Sequence, residues 1–417
     1  MGSVDVHRTI NTIWKIESAK VIARVARITR DIGLAEDFAH DALVQALEIW
    51  EKSGIPENPG GWLMTTAKRK AIDYLRRDKL SERKHKELGL INDSYYKCEY
   101  DDVDEHDIKD DLLRLLFITC DPILPPKSRV ALTLRLLGGL TTEEIAKAYL
   151  TPTPTIAQRI VRAKRILREA RISFVDYEES ELKNRLSSVL EVLYLMFNEG
   201  YTATSGGEWF RPTLCQESLR LGRILAELVP KEPEVHGLVA LMEIQSSRLK
   251  ARVNPKGEPI LLLDQNRALW DYLLIRRGLA AIERAEGLGV PLGPYSLQAK
   301  IAACHAVAPS GAETDWVRIS ALYDALAQLT PSPIIELNRA VALSMAFSPE
   351  VGLEIVDELQ EEPTLKDYHL LPSVRGDLLF KLNRKQEAHV EFKRAASLTS
   401  NEREREMLLK RASECTT

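Results

Sequence analysis

Cysteine is scarce in this 417-residue chain, and the five present (Cys98, Cys120, Cys215, Cys304 and Cys415) are scattered. None forms a C-x-x-C pair or stands at zinc spacing from a histidine, which excludes a disulfide framework and a finger-type metal site. An odd, dispersed set suits a reducing compartment. Long apolar runs are missing too: none approaches the roughly 20 residues of a bilayer-crossing helix, and no signal-peptide pattern is present. A cytoplasmic protein without a membrane partner is expected. Catalytic signatures are also absent, with no G-x-x-x-x-G-K-[ST], G-x-S-x-G or H-E-x-x-H. His40, His236, His305, His369 and His389 lie on helical patterns, where packing or exposure accounts for them better than catalysis. The expectation is a binding protein rather than an enzyme, with no cofactor and no metal.

Nor is there an overall excess of positive charge. The formal net charge is −4, which excludes a uniform nucleic-acid coat. The distribution is uneven, however. Residues 1–175 carry 29 Lys and Arg against 26 Asp and Glu, and the remainder carries 28 against 35. Lys68 to Lys86 holds nine cations against three acids, whereas Glu99 to Asp111 holds eight acids against one lysine. Local basic surfaces are what this pattern offers.

Strand signals are sparse, and helical periodicity runs through most of the chain. Ile13, Ile16, Val21, Val25 and Ile28 recur at helical steps between Ile10 and Arg30. A second helix follows Gly33, with Phe38, Ala42, Leu43, Ala46, Leu47 and Trp50 on one face and Glu36 and Asp37 in its first turn, where the helix dipole favours acids. SGIPENPGG, from Ser53 to Gly61, reads as a loop. The helix after it, from Trp62, interleaves Lys68, Arg69, Lys70, Arg76 and Arg77 with Trp62 and Tyr74. Cations there suit phosphates, and an aromatic face or loop pocket suits an unstacked base. Trp62 shares an apolar face with Leu63, Ala67 and Ala71, which favours a core role, and Asp73 is read as a partner of neighbouring arginines. Lys68, Lys70, Arg76 and Arg77 are the candidate DNA contacts.

The most informative stretch is LTTEEIAKAYLTPTPTIAQRIVRAKRILRE, from Leu140 to Glu169. It predicts a short helix, a tight turn and a basic second helix, with Thr153 as cap and Pro154 in the first position. At about 100° per residue, Ile156, Ile160, Ala163 and Leu167 form one stripe, and Thr155, Gln158, Arg159, Arg162 and Arg165 form another. One face buries while the other presents amides and cations, as a recognition helix in a major groove requires. An ordinary helix with a solvated basic face carries the same pattern. The upstream segments separate the two readings.

Together, AEDFAHDALVQALEIW, PGGWLMTTAKRKAIDYLRR and LTTEEIAKAYL…TIAQRIVRAKRIL resemble an extracytoplasmic-function sigma factor of the sigma-70 family. The tail resembles the group with a C-terminal tetratricopeptide-like extension. That likeness implies an all-α chain with two small sigma domains, the second a helix-turn-helix, followed by helical repeats. The expected divisions are 8–80 (−10 reading and core polymerase binding), 81–110 (acidic linker), 111–172 (−35 reading), 176–285 (helical extension) and 286–417 (repeats). By the same likeness, Glu36, Asp37, Asp41 and Gln45 would dock on the largest subunit of bacterial core RNA polymerase. Asn58 and its neighbours would hold a flipped −10 base, with Lys68, Lys70, Arg76 and Arg77 gripping adjacent backbone. Thr155, Gln158, Arg159 and Arg162 would enter the −35 groove. His40 stands where members often carry Gln, and Leu150 where many such turns place Gly.

An internal repeat supports the tail's assignment. At an offset of 36 residues, Ala340 matches Gly376, Leu343 matches Leu379, Gly352 matches Ala388, and Val356 matches Phe392, near the period of about 34 of a tetratricopeptide repeat. Small residues let paired helices approach, and Phe392 fills between them. The tail is expected to regulate the sigma domains or receive a signalling protein, and its acidic balance suits contact with basic helices. A polar cluster around Glu199, Glu208, Arg211, Asp264, Gln265, Arg267 and Trp270 could line a ligand pocket or be capping and ion pairing. A one-component helix-turn-helix regulator with a repeat sensor, and a scaffold with incidental basic helices, are the competing readings.

Overall fold

A computed structural model describes residues 3–85, 105–149, 151–170, 179–202, 210–255 and 258–416. Among these there is no named strand, only one isolated bridge between Val253 and Pro259. No helix in them is long and apolar enough to cross a membrane. The chain divides into two units, Met1–Val192 and Leu193–Thr417.

The first unit opens with α1 (Ser3–Thr29), α2 (Ile32–Ser53) and α3 (Pro59–His85). Asp31 starts α2: its Oδ1 accepts from the amides of Gly33 at 2.7 Å and Leu34 at 3.1 Å. Ala35, Ala39, Ala42 and Ala46 are fully buried along α2, small enough for α1 and α3 to pack closely, and Trp50 closes the stripe. Gly54, at φ +83°, ends the helix in the left-handed region. The loop to Gly61 is shorter than the sequence suggests. Asn58 caps α3 by accepting from Gly61 N at 2.8 Å, so Pro59 already belongs to the helix. Then come α4 (Glu105–Thr119), α5 (Pro126–Leu136), α6 (Thr142–Ala148) and α7 (Thr153–Glu169). Most of the expected acidic linker, residues 86–104, lies outside the described residues; its first five residues continue α3 and its last six begin α4.

The next helix, α8 (Glu179–Tyr201), carries the division between the units. Its early part completes the first unit, with Arg185 bonded to Asp121 at 2.6 Å and Glu191 to Arg129 at 2.9 Å. Ser188 accepts from Arg129 and donates to the Cys120 carbonyl. The division between the two units falls at Val192.

The second unit continues with α9 (Pro212–Leu228), α10 (Pro233–Ser247), α11 (Tyr272–Gly287), α12 (Pro294–Val307) and α13 (Trp316–Leu329). Helix α10 is buried on nearly every side and packs on α9, α11 and α12. Helices α14 (Pro333–Ala346), α15 (Pro349–Leu359), α16 (Leu370–Lys381), α17 (Lys385–Leu398) and α18 (Glu402–Glu414) follow, each packed on its chain neighbour. The repeat takes the expected form. Gly352 faces α14, where a Cβ would lie 2.8 Å from the Ala340 carbonyl, and Gly376 faces the Phe392 ring across α17. Ala340, Val356, Leu379, Ala388 and Phe392 share one core. Because Phe392 is 1% exposed at its centre, Phe392→Ala is expected to destabilise this unit by roughly 3–5 kcal/mol in urea unfolding, a loss below 1 kcal/mol contradicting this packing.

Candidate nucleic-acid interface

The predicted apolar stripe of α7 is the buried one: Ile156, Ile160, Ala163 and Leu167 are all below 7% exposed. That rotation turns Gln158, Arg162 and Arg165 outward and leaves Thr155 and Arg159 half-buried. Among the described residues no ion pair engages Arg159 or Arg162, whereas Arg165 lies 3.7 Å from Glu169 in an exposed pair that contributes little. Helix α6 sets the pitch of this motif. The Thr141 hydroxyl accepts from Glu144 N at 3.1 Å, and the Glu144 carboxylate accepts from Thr141 N at 2.8 Å. The predicted start of α7 shifts by one residue. The Pro152 carbonyl accepts from Thr155 N at 2.9 Å, so Pro152 occupies the cap, Thr153 is already helical and has no capping bond, and Pro154 is second. Leu150 lies outside the described residues.

On α3, Leu63, Ala67 and Ala71 bury, and Trp62 packs edge-on against Trp50 at 5.2 Å. Its face is only half-covered, so the ring belongs mainly to the core edge. Arg76 and Arg77 are exposed; Arg76 reaches Asp73 at 3.9 Å, and Arg77 has no ion pair among the described residues. Lys68 is half-buried, and Lys70 pairs with Asp41 of α2 at 3.2 Å. Asn58 is exposed, but its carbonyl is committed to the α3 cap, leaving the side-chain amide to donate.

The expected acidic docking face needs one correction. Asp37 and Asp41 are exposed and Gln45 is half-buried, but Glu36 is 5% exposed and does not share their surface. It sits one helical step from Asp37, beside the buried alanine stripe. There Glu36 accepts from Arg135 Nε of α5 at 2.6 Å and from Lys164 of α7. Burial works against its charge, yet the Lys164 and Arg135 cations hold its carboxyl below the usual range. A second clasp joins the same elements, with Asp31 bonded to Arg168 at 2.6 Å. His40 completes the contact. Arg135 donates to its Nε2 (3.2 Å), and the Glu36 carbonyl accepts from its Nδ1 (3.0 Å). Asp111 of α4, fully enclosed, meets Arg24 at 3.1 Å and Arg27 at 3.4 Å on α1. None of these long-range pairs is legible in the sequence; only the i, i+4 spacing of Lys164 and Arg168 beside the predicted DNA stripe hints at a third face.

In the second unit the polar cluster is largely internal bracing. Glu199 pairs with Arg211, and Gln265 donates to the Ile260 carbonyl at 3.1 Å. Arg267 donates to the carbonyls of His305 and Ala308 at the end of α12 and lies over Trp270. His305, enclosed beside Arg248 and Arg267, is pushed down to about 4. Glu208 lies outside the described residues.

Comparison with known proteins matches three successive segments of the chain. Residues 17–80 match sigma-70 region 2 and residues 120–167 match sigma-70 region 4. Residues 185–286 match a family of unknown function (DUF6596). An uncharacterized protein of Rhizobium meliloti (strain 1021) is 40% identical over 94% of this chain and 93% of its own length. A probable ECF RNA polymerase sigma factor, SigI of Mycobacterium tuberculosis, is 25% identical over 40% of this chain and 57% of its own. The ECF RNA polymerase sigma factor SigK of Mycobacterium ulcerans is 29% identical over 36% of this chain and 78% of its own. The regions matched coincide with α1–α3 and α5–α7, where the basic surfaces and the helix-turn-helix stand. The chain belongs to the extracytoplasmic-function group of sigma-70 family RNA polymerase sigma factors, in the form that carries a C-terminal helical extension.

Proposed function

We propose that this chain brings core RNA polymerase to promoters through three surfaces and holds itself shut between rounds by the Glu36 clasp. Helix α7 enters the −35 major groove with Thr155, Gln158, Arg159 and Arg162, and Arg165 follows the flanking backbone. Asn58 and its neighbours receive an unstacked −10 base, while Lys68, Lys70, Arg76 and Arg77 neutralise phosphates. Opening duplex DNA costs about 1.4 kcal/mol per stacked step, and base capture offsets part of that. Asp37, Asp41 and Gln45 face the polymerase. The observation that carries this reading is the rotation of α7: its apolar stripe buries and leaves Gln158 and Arg162 exposed, with no ion pair on Arg162 among the described residues.

The second unit controls the first, by itself or through a signalling protein bound to its repeats. Run-off transcription with core polymerase tests both statements. The full chain is expected to start transcription at discrete sites on a bare template, which a one-component regulator does not do without another sigma factor. Cutting after Thr202 preserves α8 and with it the bonds of Arg185, Ser188 and Glu191; a cut after Arg171 removes them. The chain ending at Thr202 is expected to change run-off output several-fold, and equal output from it and the full chain refutes control by the second unit.

A further inference from the structure

We propose that a groove in the second unit, between α9, the end of α10 and the start of α11, binds a small amphipathic anion: an apolar body with one carboxylate or phosphate. The groove has a volume of about 560 Å³, within the range of small-ligand sites and mostly apolar, as such sites are. Phe210, Leu219, Leu249, Leu273 and Leu274 supply its apolar surface. Leu273 stays 49% exposed, so that surface is open to a ligand.

Its charges are arranged for an anion. Arg223, Lys250 and Arg277 stand around it, with Asp271 as the acid among its lining residues. Asp271 is already committed, since its Oδ1 accepts from Leu273 N at 3.0 Å and Leu274 N at 3.2 Å at the start of α11. Arg223 is also committed, to Glu243 at 2.8 Å. Lys250 and Arg277 are exposed and form no ion pair among the described residues, so they are the cations available to a ligand. Two buried polar atoms there also have no partner among the described residues: Ser246 Oγ in the lining, and Glu243 Oε2 on the carboxylate that fixes Arg223. Glu243 is 2% exposed, and burial raises its carboxyl above the usual range despite Arg223 and Arg277. A buried, half-satisfied carboxylate anchoring a groove-lining arginine is costly unless the arginine's placement matters. Arg248, Arg267 and Trp270 do not line this groove; they stack on one another, and Arg267 donates to the Ala308 carbonyl.

Calorimetric titration of the full chain with decanoate and with decyl phosphate, against decanol and inorganic phosphate as controls, tests the proposal. At least one of the two tailed anions is expected to bind at one site per chain, with the neutral tail and the free ion at least tenfold weaker. A preference for the carboxylate or the phosphate probe identifies the head group. The double variant Lys250→Ser, Arg277→Ser is expected to weaken binding about tenfold, equivalent to 1.4 kcal/mol. Leu273→Glu, at a position 49% exposed, is expected to abolish it, with unchanged thermal melting confirming the fold. The proposal is overturned if neither anion binds at millimolar concentration, if decanol binds equally well, or if both variants bind like the original.

Discussion

Arg162→Ala is expected to weaken binding to a −35-containing duplex by about 10- to 100-fold, in line with the 1–3 kcal/mol of a good bidentate base contact. Association with core polymerase should not change, because Arg162 lies on α7 and the proposed docking face lies on α2. Arg162 is the most informative single position: it is exposed, carries no ion pair among the described residues, and stands one turn beyond Gln158 on the same stripe. Arg165 is a weaker probe, since Glu169 already neutralises part of its charge. Titrations at several salt concentrations separate base reading from phosphate gripping. If Arg162 grips a phosphate, its removal weakens binding to all sequences alike and reduces the salt slope by about 0.9. If it reads a base, its removal flattens the preference for the −35 element at nearly constant slope. The converse variant is Asp37→Arg, expected to abolish holoenzyme assembly and leave duplex binding intact. Asp37 serves better than Asp41, whose carboxylate pairs with Lys70 and would disturb a proposed DNA-binding residue at the same time. Equal losses in both assays from both variants would mean that the two surfaces are not separate.

Much of this arrangement is legible in the sequence because it is local and periodic. The stripe of Ile156, Ile160, Ala163 and Leu167 follows from a 3.6-residue repeat, and burial follows from the stripe. The pairing of Gly376 with Phe392 follows from repeat spacing for the same reason. Boundaries are less legible. Two prolines two residues apart both fit a helix start, and only the Pro152 carbonyl's bond to Thr155 decides between them. The fate of Glu36 is not legible at all. An acid in the first turn of a helix looks the same whether water or two cations face it, and its partners lie 99 and 128 residues away. Long-range ion pairs leave no period in a sequence. The same holds for Asp31, whose capping role is local while its bond to Arg168 is not.

Glu36→Gln is expected to move stability and polymerase affinity in opposite directions. The substitution keeps the shape and removes the charge that Arg135 and Lys164 share, and breaking such a buried pair costs roughly 3–5 kcal/mol. The lower end applies here, because Arg135 and Lys164 keep 23% and 19% of their side-chain surface in water. For a unit of this size, about 3 kcal/mol corresponds to a fall of roughly 6–12 °C in melting temperature. The pH profile carries a second signature. Glu36 has a folded value below that of the unfolded chain, so its stabilisation is complete at neutral pH. It begins to fade once pH drops beneath the ordinary value of 4.5, and it is lost as pH falls through the lower folded value. The Gln variant should lack that acid limb and be less stable than the original at pH 7. Affinity for core polymerase should nevertheless rise, because freeing the first turn of α2 from α5 and α7 exposes the surface beside Asp37. Had Glu36 itself been a polymerase contact, its neutralisation would lower affinity along with stability. Thermal melting at pH 7 and pH 4, paired with a polymerase pull-down at pH 7, therefore distinguishes a clasp from a docking residue, and a joint fall in both readouts would return Glu36 to the docking face.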